Sequence, residues 1–145
     1  NQHKGASFLE IYQNCNIFND GAYKGFTDKD VRDERVLHLQ HGQPLLFGAK
    51  KDKGIAFDGN FRPYIVTGAD LSKAFVWDET AETPAPAMAL ATMSEAEFPV
   101  PIGVFRRREK PAFETGLQGQ VTAAKSKKKE TIKDLLMQGE IWDVK

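Results

Sequence analysis

The fold is decided by short apolar segments that alternate with turn residues in the first half of the chain. They begin with Val36-Leu37-His38-Leu39-Gln40-His41-Gly42-Gln43-Pro44-Leu45-Leu46-Phe47-Gly48 and continue, after a charged turn, with Gly54-Ile55-Ala56-Phe57. Apolar runs of this length, bounded by Gly and Pro, are typical of strands. We therefore predict a small antiparallel meander over residues 36–66. Its buried side chains are expected to be Leu37, Leu39, Leu46, Ile55 and Phe57.

The meander is predicted to end in a strand over residues 61–66. This segment contains Pro63, which has no backbone N–H to donate to a neighbour. A proline of this kind confines its strand to the edge of a sheet, or itself to the start of the strand.

The residues before the meander contain a predicted strand and a predicted loop. Residues 6–13 are rich in strand formers and follow Gly5, so we predict a buried strand there. Residues 14–21 are dense in turn residues and are expected to form a loop at its carboxyl end, where ligands collect in α/β proteins. Thr27 and Asp30 have the spacing of a capping box, which predicts a short helix that opens at Thr27.

Helices are predicted to dominate the end of the chain. After a polar, Pro-spaced connection over residues 78–87, the composition predicts one helix, one strand and two further helices. Their predicted ranges are 87–96 for the first helix, 102–105 for the strand, about 113–125 for the second helix, and 131–138 for the last, which Thr131 caps and Gly139 stops. Residues 141–144 are expected to close the chain as a strand or extended tail. The predicted fold class is α+β, with a small antiparallel sheet and C-terminal helices.

Because its charges balance, the chain has no overall electrostatic field that would attract nucleic acid or an anionic membrane. There are 20 basic and 20 acidic residues, so the formal net charge is zero. Locally, residues 78–97 carry only acidic charges, whereas residues 106–133 are mainly basic. Such asymmetry marks either a docking face or an ordinary solvated surface. Within the basic part, Arg106-Arg107-Arg108 could hold an anionic partner or a phosphate, although arginines after a strand are also common.

Cysteine usage and hydropathy indicate where the protein resides. The single cysteine, Cys15, excludes an internal disulfide and is typical of a reducing compartment, so we expect a cytoplasmic protein. No run approaches the about 20 apolar residues that a membrane-spanning helix needs. The chain opens Asn-Gln-His-Lys-Gly, without a signal peptide or an initiator Met, and we expect it to be part of a longer protein.

Most familiar catalytic and metal-binding motifs are absent from the sequence. It has no Gly-rich phosphate loop, no His-Glu-x-x-His, no Cys-x-x-Cys and no Gly-x-Ser-x-Gly. His38 and His41 lack a third ligand nearby, and His3 is expected to be a surface residue. Cys15 stands out because Asn14 and Asn16 flank it in the predicted loop, where amides can hydrogen-bond to an iron-bound thiolate. A lone cysteine is also often a small buried apolar residue, and spacing does not decide between these roles.

Three stretches of the sequence resemble one protein family. They are His3-Lys4-Gly5-Ala6-Ser7-Phe8-Leu9-Glu10-Ile11-Tyr12-Gln13-Asn14-Cys15-Asn16-Ile17-Phe18-Asn19-Asp20-Gly21, the run Leu37 to Gly48 quoted above, and Pro101-Ile102-Gly103-Val104-Phe105-Arg106. The first is similar to the Gly-x-Ser-Phe strand and following cysteine that close the thiamine-diphosphate domain in the beta subunit of 2-oxoacid:ferredoxin oxidoreductases, above all the bacterial 2-oxoglutarate type. The other two resemble the C-terminal extension of that subunit.

The resemblance implies a division of the chain and a role for its cysteine. Residues 1–25 would be the terminal strand of the thiamine-diphosphate domain and its cluster-side loop, and residues 26–145 would be the C-terminal extension. Cys15 would be the fourth ligand of a [4Fe–4S] cluster, with Asn14 and Asn16 in the shell around it. The Gly-Asp-Gly-Asp cofactor motif and the other three cluster cysteines of the family are missing from this sequence.

The intact enzyme implied by the resemblance uses thiamine diphosphate, Mg²⁺ and a [4Fe–4S] cluster. It decarboxylates a 2-oxoacid oxidatively to an acyl-CoA and passes the electrons to ferredoxin. Its partners are an alpha subunit, ferredoxin, coenzyme A and the 2-oxoacid, with no nucleic acid and no membrane. Because the remaining cofactor residues are missing here, we expect the chain alone to be inactive, to hold no cofactor and to contain no catalytic residue.

Two alternatives remain open on the sequence. The chain could be a stand-alone β-rich binding or assembly module in which Cys15 is a packed, structural thiol. It could also be a hydrolase that uses Cys15 with His38 or His41, although no orienting Asp or Asn is evident in the sequence.

Overall fold

A computed structural model of the chain describes residues 3–127, 131–140, 142 and 144. Its elements are, in chain order, α1 (Lys24–Thr27), α2 (Arg32–Arg35), β1 (Val36–Leu39), β2 (Leu46–Phe47), β3 (Lys53–Phe57), β4 (Pro63–Thr67), a 3-10 helix (Gly68–Lys73), α3 (Ala85–Ala91), β5 (Val100–Gly103), α4 (Phe113–Lys127) and α5 (Ile132–Leu136). The chain divides into two compact units. One unit is Glu10–Arg108, and the described residues outside that range form the other.

The unit Glu10–Arg108 contains the predicted antiparallel meander. Strands β2, β3 and β4 form one sheet in that order, with Leu46 opposite Gly54 and Ile55 opposite Ile65. Pro63 is the first residue of β4, which is an edge strand, so its missing N–H leaves no gap inside the sheet. Both features confirm the predicted meander from β2 onward and the predicted position of Pro63.

Large apolar side chains from several elements form the core of this unit. The largest fully buried ones are Trp77, Leu37, Leu45, Ile55 and Leu90. The predicted burial of Leu37, Leu39 and Ile55 is confirmed, whereas Leu46 and Phe57 are only partly buried. Removing a side chain of this kind costs the transfer free energy of its atoms and leaves a cavity, about 2–5 kcal/mol for Leu→Ala.

Strand β1 is the place where the predicted sheet is wrong. It does not join the antiparallel meander but pairs in parallel with β5, with Val36 opposite Val100 and Leu39 opposite Gly103. The partner lies more than sixty residues further along the chain, and local turn residues carry no information about such a pairing. Gly103 has φ +129°, and a β-carbon there would lie 2.8 Å from the carbonyl oxygen of Leu39. The end of the parallel pair therefore requires glycine.

The strand predicted over residues 6–13 is also wrong for this structure. These residues have no regular secondary structure and are exposed, with Phe8 91% and Ile11 72% accessible. A strand needs a neighbour for its backbone hydrogen bonds, and no described residue supplies one along this segment. A strand-forming composition alone does not create a strand.

The helix cap predicted at Thr27 is not formed. Thr27 ends α1, and its hydroxyl donates to the carbonyl of Tyr23 at 2.8 Å instead of accepting the amide of Asp30. The short helix after it, α2, does exist, but it begins after Val31 without a side-chain cap. Threonine bonds back to a preceding carbonyl as readily as it caps, and the sequence spacing does not distinguish the two.

The predicted C-terminal helices are present in the second unit. Helix α4 covers the expected range. Helix α5 has a full capping box at Thr131, runs from Ile132 to Leu136 and so ends two residues earlier than predicted. The Thr131 hydroxyl accepts the amide of Asp134, and the Asp134 carboxylate accepts the amide of Thr131. Helix α3 starts two residues earlier than predicted. Of the predicted tail at 141–144, residues 141 and 143 lie outside the described residues. Each helix in the described part of the chain is too short or too polar to cross a bilayer.

Candidate functional site

The loop predicted to carry Cys15 exists and is closed by the side chain of Asn14. The Asn14 amide group donates to the Asp20 carboxylate at 2.9 Å, and its oxygen accepts the backbone N–H of Gly21 at 2.8 Å. Because a backbone N–H can only donate, the Gly21 contact fixes which side-chain atom of Asn14 is the oxygen. Gly21 has φ +76°, a left-handed conformation that favours glycine. One asparagine thus joins the two ends of the loop.

Cys15 begins the tight turn inside that loop. Its carbonyl accepts the backbone N–H of Asn19 at 3.0 Å, and the two residues form an isolated antiparallel bridge. The thiol is free and exposed. Backbone N–H groups of Phe18 and Ile17, and to a lesser degree Asn19, lower the pKa of the Cys15 thiol, while slight desolvation opposes them. The main-chain N–H groups of this turn therefore favour the ionised form of the thiol.

An aromatic cluster anchors the loop to α1. The rings of Tyr12, Tyr23 and Phe26 contact one another with centroids 5.3–5.7 Å apart, and Phe26 is buried. A hollow of about 360 Å³ lies beside them. It is lined by Tyr12, Asn14, Tyr23, Lys24, Thr27 and Asp28. The aromatic contacts hold the start of the loop, where Asn14 acts, against a packed element.

The two asparagines that flank Cys15 differ in what they do. Asn14 makes both contacts that close the loop, whereas the side chain of Asn16 makes no hydrogen bond to any described residue. The sequence predicted that both asparagines lie beside the sulfur and have the same role. In the structure their roles differ, because only Asn14 makes side-chain hydrogen bonds that close the loop.

The donor chemistry at Cys15 fits one ligand of an iron–sulfur cluster. Such ligands are thiolates, and an exposed thiol whose pKa is lowered by nearby main-chain N–H groups is suited to that role. Within the ranges that the structure describes, no three His, Cys, Asp or Glu side chains gather in a way that could hold a metal ion. This chain would therefore contribute a single ligand, and the remaining ligands would have to come from elsewhere.

The histidines do not join Cys15. His41 lies 3.4 Å from the Asp78 carboxylate through Nδ1, and His38 is exposed on β1. Among the described residues, no hydrogen bond connects Cys15 to either histidine. The hydrolase alternative therefore lacks the contact between nucleophile and base that it requires. The packed-thiol form of the binding-module alternative is wrong, because Cys15 is exposed.

The arginine triplet pairs with the acidic segment of the same chain. Arg107 binds the carboxylate of Glu79, the only charged side chain that is buried among the described residues, and Arg108 binds Glu82 at 2.8 Å. Arg106 donates to the carbonyl of Glu82 at 3.1 Å. We call these contacts the arginine ladder. The sequence predicted that the acidic and basic segments form either a docking face or a solvated surface. In the structure, part of each segment forms ion pairs with the other. An acidic run that precedes an arginine triplet was the sequence signal for this pairing.

The chain resembles a known oxidoreductase subunit over most of its length. It is 34% identical over 128 residues to the 2-oxoglutarate oxidoreductase subunit KorB of Mycobacterium tuberculosis, an alignment that covers 86% of this chain. The chain spans about a third of that relative, since the alignment covers 34% of it. No protein-family model matches the chain. No solved structure matches it either.

Proposed function

We propose that this chain, which is similar to the 2-oxoglutarate oxidoreductase subunit KorB, is part of the beta subunit of a 2-oxoacid:ferredoxin oxidoreductase, the family that its sequence resembles. The observation that carries the proposal is the 34% identity over 86% of the chain. The preferred substrate is 2-oxoglutarate, because the relative's name specifies it. The division at residue 25 between a cofactor domain and an extension stays a prediction.

In the proposed reaction, a 2-oxoacid and coenzyme A give an acyl-CoA, carbon dioxide and a proton. The two electrons released pass singly to two ferredoxins. Thiamine diphosphate with Mg²⁺ supplies the electron sink for the decarboxylation, and a [4Fe–4S] cluster supplies the relay for single electrons. The protein's share of this chemistry is to bind, orient and tune those groups. The residues for thiamine diphosphate are not in this sequence, so the chain is proposed to be inactive alone.

Cys15 is the residue through which this chain is proposed to take part. Its thiolate would be one ligand of the cluster, and the backbone N–H groups of Phe18 and Ile17 would favour the ionised form of the ligating sulfur. N–H groups beside a ligating sulfur stabilise the added negative charge of the reduced cluster and help to set its reduction potential. The exposure of Cys15 supports the role, because other ligands and the iron atoms need access to the sulfur.

The chain is proposed to contact the remainder of its subunit or an alpha subunit. Helix α4 has no buried residue, and its apolar residues Phe113 and Leu117 are exposed and four positions apart. Residues at this spacing lie on one face of a helix. That exposure supports the expectation that the C-terminal extension packs against another part of the enzyme. Ferredoxin and coenzyme A would act on the assembled enzyme.

The test is to replace Cys15 in the intact subunit and measure iron. Cys15→Ser is expected to lower the iron content and abolish ferredoxin reduction, while decarboxylation at the thiamine centre remains partly active because it does not need the cluster. Asn60→Ser is the matched control, because Asn60 is exposed, its side chain makes no described hydrogen bond, and it lies outside the loop around Cys15. A normal iron content with a normally reducible cluster in Cys15→Ser would reject the proposed role of Cys15.

A further inference from the structure

The turn that begins at Cys15 presents two large apolar side chains to solvent. Ile17 is 80% accessible and Phe18 is 90% accessible, although the two residues are adjacent. Single exposed apolar residues are common on protein surfaces, whereas neighbouring ones form a patch, and apolar patches mark interaction sites. We call Ile17 and Phe18 the apolar tip of the loop.

The apolar tip is not needed to hold the loop together. The loop is closed by polar contacts from Asn14 to Asp20 and Gly21, and by the hydrogen bond between the Cys15 carbonyl and the Asn19 amide. Neither residue of the tip belongs to the apolar core in the described part of the chain. The loop therefore holds both side chains away from the unit in which it lies.

The proposed role of Cys15 determines which surface lies over the apolar tip. Cys15 supplies one ligand, and no group of three metal-ligating side chains gathers among the described residues, so a surface with the other ligands has to reach its sulfur. Ile17 and Phe18 follow Cys15 by two and three positions, so their Cα atoms lie within roughly 11 Å of the Cα atom of Cys15. A protein surface that reaches the sulfur also reaches the tip. The chain spans about a third of its relative, so a subunit of that length has ample further chain to form this surface.

We propose that Ile17 and Phe18 anchor the interface with the part of the same beta subunit that carries the other cluster ligands, and that they exclude water from the cluster there. The proposal deepens the proposed function and rests on it for the identity of the partner. An aromatic ring beside a branched aliphatic side chain is suited to fill an apolar pocket. The carboxylate of the loop, Asp20, is already bonded to Asn14. The receiving surface is therefore expected to be apolar and not basic.

An apolar cover at this position changes the surroundings of the ligating sulfur. Solvent exposure is one of the factors that set the reduction potential of an iron–sulfur cluster, and the apolar shell of a metal site controls the access of water. With the tip in its pocket, Phe18 keeps water and small reagents from the side of the cluster that Cys15 holds. Without the ring, water stabilises the negative charge added on reduction, so the potential moves to a less negative value.

The first experiment identifies the surface that covers the tip. In the intact subunit with its alpha partner, Phe18 is replaced by the photoreactive residue p-benzoylphenylalanine, and the crosslinked peptides are mapped by mass spectrometry after irradiation. The expected crosslink joins residue 18 to the segment of the same subunit next to the other cluster cysteines. The same photoreactive residue at Met88, an exposed position on α3, is the control and should not crosslink to that segment. A crosslink to the alpha subunit or to a second copy, or no crosslink, would overturn the proposal.

The second experiment needs no substitution and so does not depend on the assembly of a variant. Hydroxyl-radical oxidation of Ile17 and Phe18 is compared between this chain alone and the intact subunit. Oxidation follows solvent exposure, so both residues are expected to react several-fold more slowly in the intact subunit. Equal oxidation in the two samples would show that the tip stays in solvent and would overturn the proposal.

The third experiment tests the exclusion of water. In the intact subunit, Phe18→Ser is expected to release iron to a chelator about tenfold faster, because the apolar shell is opened. A redox titration followed by electron paramagnetic resonance should show a less negative potential. Phe18→Leu keeps an apolar side chain and should stay near the unchanged rate, and Met88→Ser is the matched control outside the loop. Equal release rates in Phe18→Ser and Met88→Ser would reject the exclusion of water by the tip.

The interface and the ligand role of Cys15 fail in different ways. A full cluster in Cys15→Ser rejects the ligand role, whatever the crosslinks show. Loss of iron in Cys15→Ser, together with a Phe18 that stays exposed in the intact subunit, keeps the ligand role and rejects the interface.

Discussion

The indole N–H of Trp77 donates to the backbone carbonyl of Val104 at 3.0 Å. Trp77 is 1% exposed and belongs to the main core cluster, whereas Val104 directly follows β5. This contact joins the end of the parallel pair β1–β5 to the core that the antiparallel sheet also shares. The same core cluster contains Leu37 and Leu39 of β1 as well as Phe47 of β2 and Ile55 of β3, so it packs both sheets into one unit.

Trp77→Phe is expected to destabilise the chain by about 1–3 kcal/mol, and Trp77→Ala by about 3–5 kcal/mol. The phenylalanine retains most of the packing but has no donor for the Val104 carbonyl, which is close enough to solvent for water to replace part of the bond. Urea unfolding followed by circular dichroism measures both values. If Trp77→Phe were as stable as the unchanged chain, the hydrogen bond would contribute nothing to joining β5 to the core.

The arginine ladder should contribute unequally along its length. Arg107→Ala leaves the buried Glu79 carboxylate without its guanidinium partner, so we expect a loss of about 1–3 kcal/mol. The value is set below that of a fully buried pair because Arg107 itself is largely exposed. Arg106→Ala, which removes an exposed contact to a carbonyl, should change stability by less than about 0.5 kcal/mol. The free energy of unfolding is measured by chemical denaturation for both variants and for the double variant Arg107→Ala/Glu79→Ala. Equal losses in Arg107→Ala and Arg106→Ala would contradict the predicted order.

The ion pair between Glu34 and Lys53 should give stability a defined pH dependence. The Lys53 ammonium, 2.7 Å away, and the amide of Ala49 lower the pKa of Glu34, and Glu34 in turn raises the pKa of Lys53. The contribution of Glu34 is therefore complete above its unfolded pKa, about 4.3, and is lost as the pH falls through its lower folded pKa. The contribution of Lys53 to stability is complete below its unfolded pKa, about 10.4, and is lost as the pH rises through its higher pKa in the folded state.

Glu34→Gln tests the pH dependence in acid, because glutamine keeps an oxygen that accepts the Ala49 amide but carries no charge. The difference in unfolding free energy between this variant and the unchanged chain should be greatest near neutral pH and should shrink in acid. Added salt should also reduce it, since both side chains are partly exposed. A difference that stays constant from neutral to strongly acidic pH would show that the charge of Glu34 does not contribute.

The sequence predicts those parts of the fold that depend on neighbouring residues. The meander of β2, β3 and β4 follows from short apolar runs between turns, and the capping box at Thr131 follows from spacing within one helical turn. The parallel pairing of β1 with β5 depends on a distant partner, and the extended residues 6–13 lack one. Both errors arise because a strand is completed by another strand that its own composition does not specify.

The candidate site shows the same limit. The loop around Cys15 was predictable from its turn residues, and the resemblance to an oxidoreductase beta subunit was recognisable from the motif around it. The unequal roles of Asn14 and Asn16 were not, because they depend on which side chain reaches Asp20 and Gly21 across the loop. Likewise, the arginine ladder joins residues 24 to 28 positions apart, where charge patterning shows complementarity but not contact.

The last prediction concerns thiamine diphosphate. This sequence has no Gly-Asp-Gly-Asp motif, so it lacks the carboxylates that would hold Mg²⁺ against the diphosphate in the family it resembles. Calorimetric titration of the chain with thiamine diphosphate and Mg²⁺ should give no micromolar binding. The intact subunit with its alpha partner, titrated in the same buffer, serves as the positive control and should bind. Micromolar binding by the chain alone would mean that it contains a diphosphate site of its own, and the proposed division of work between this chain and the rest of the enzyme would have to be abandoned.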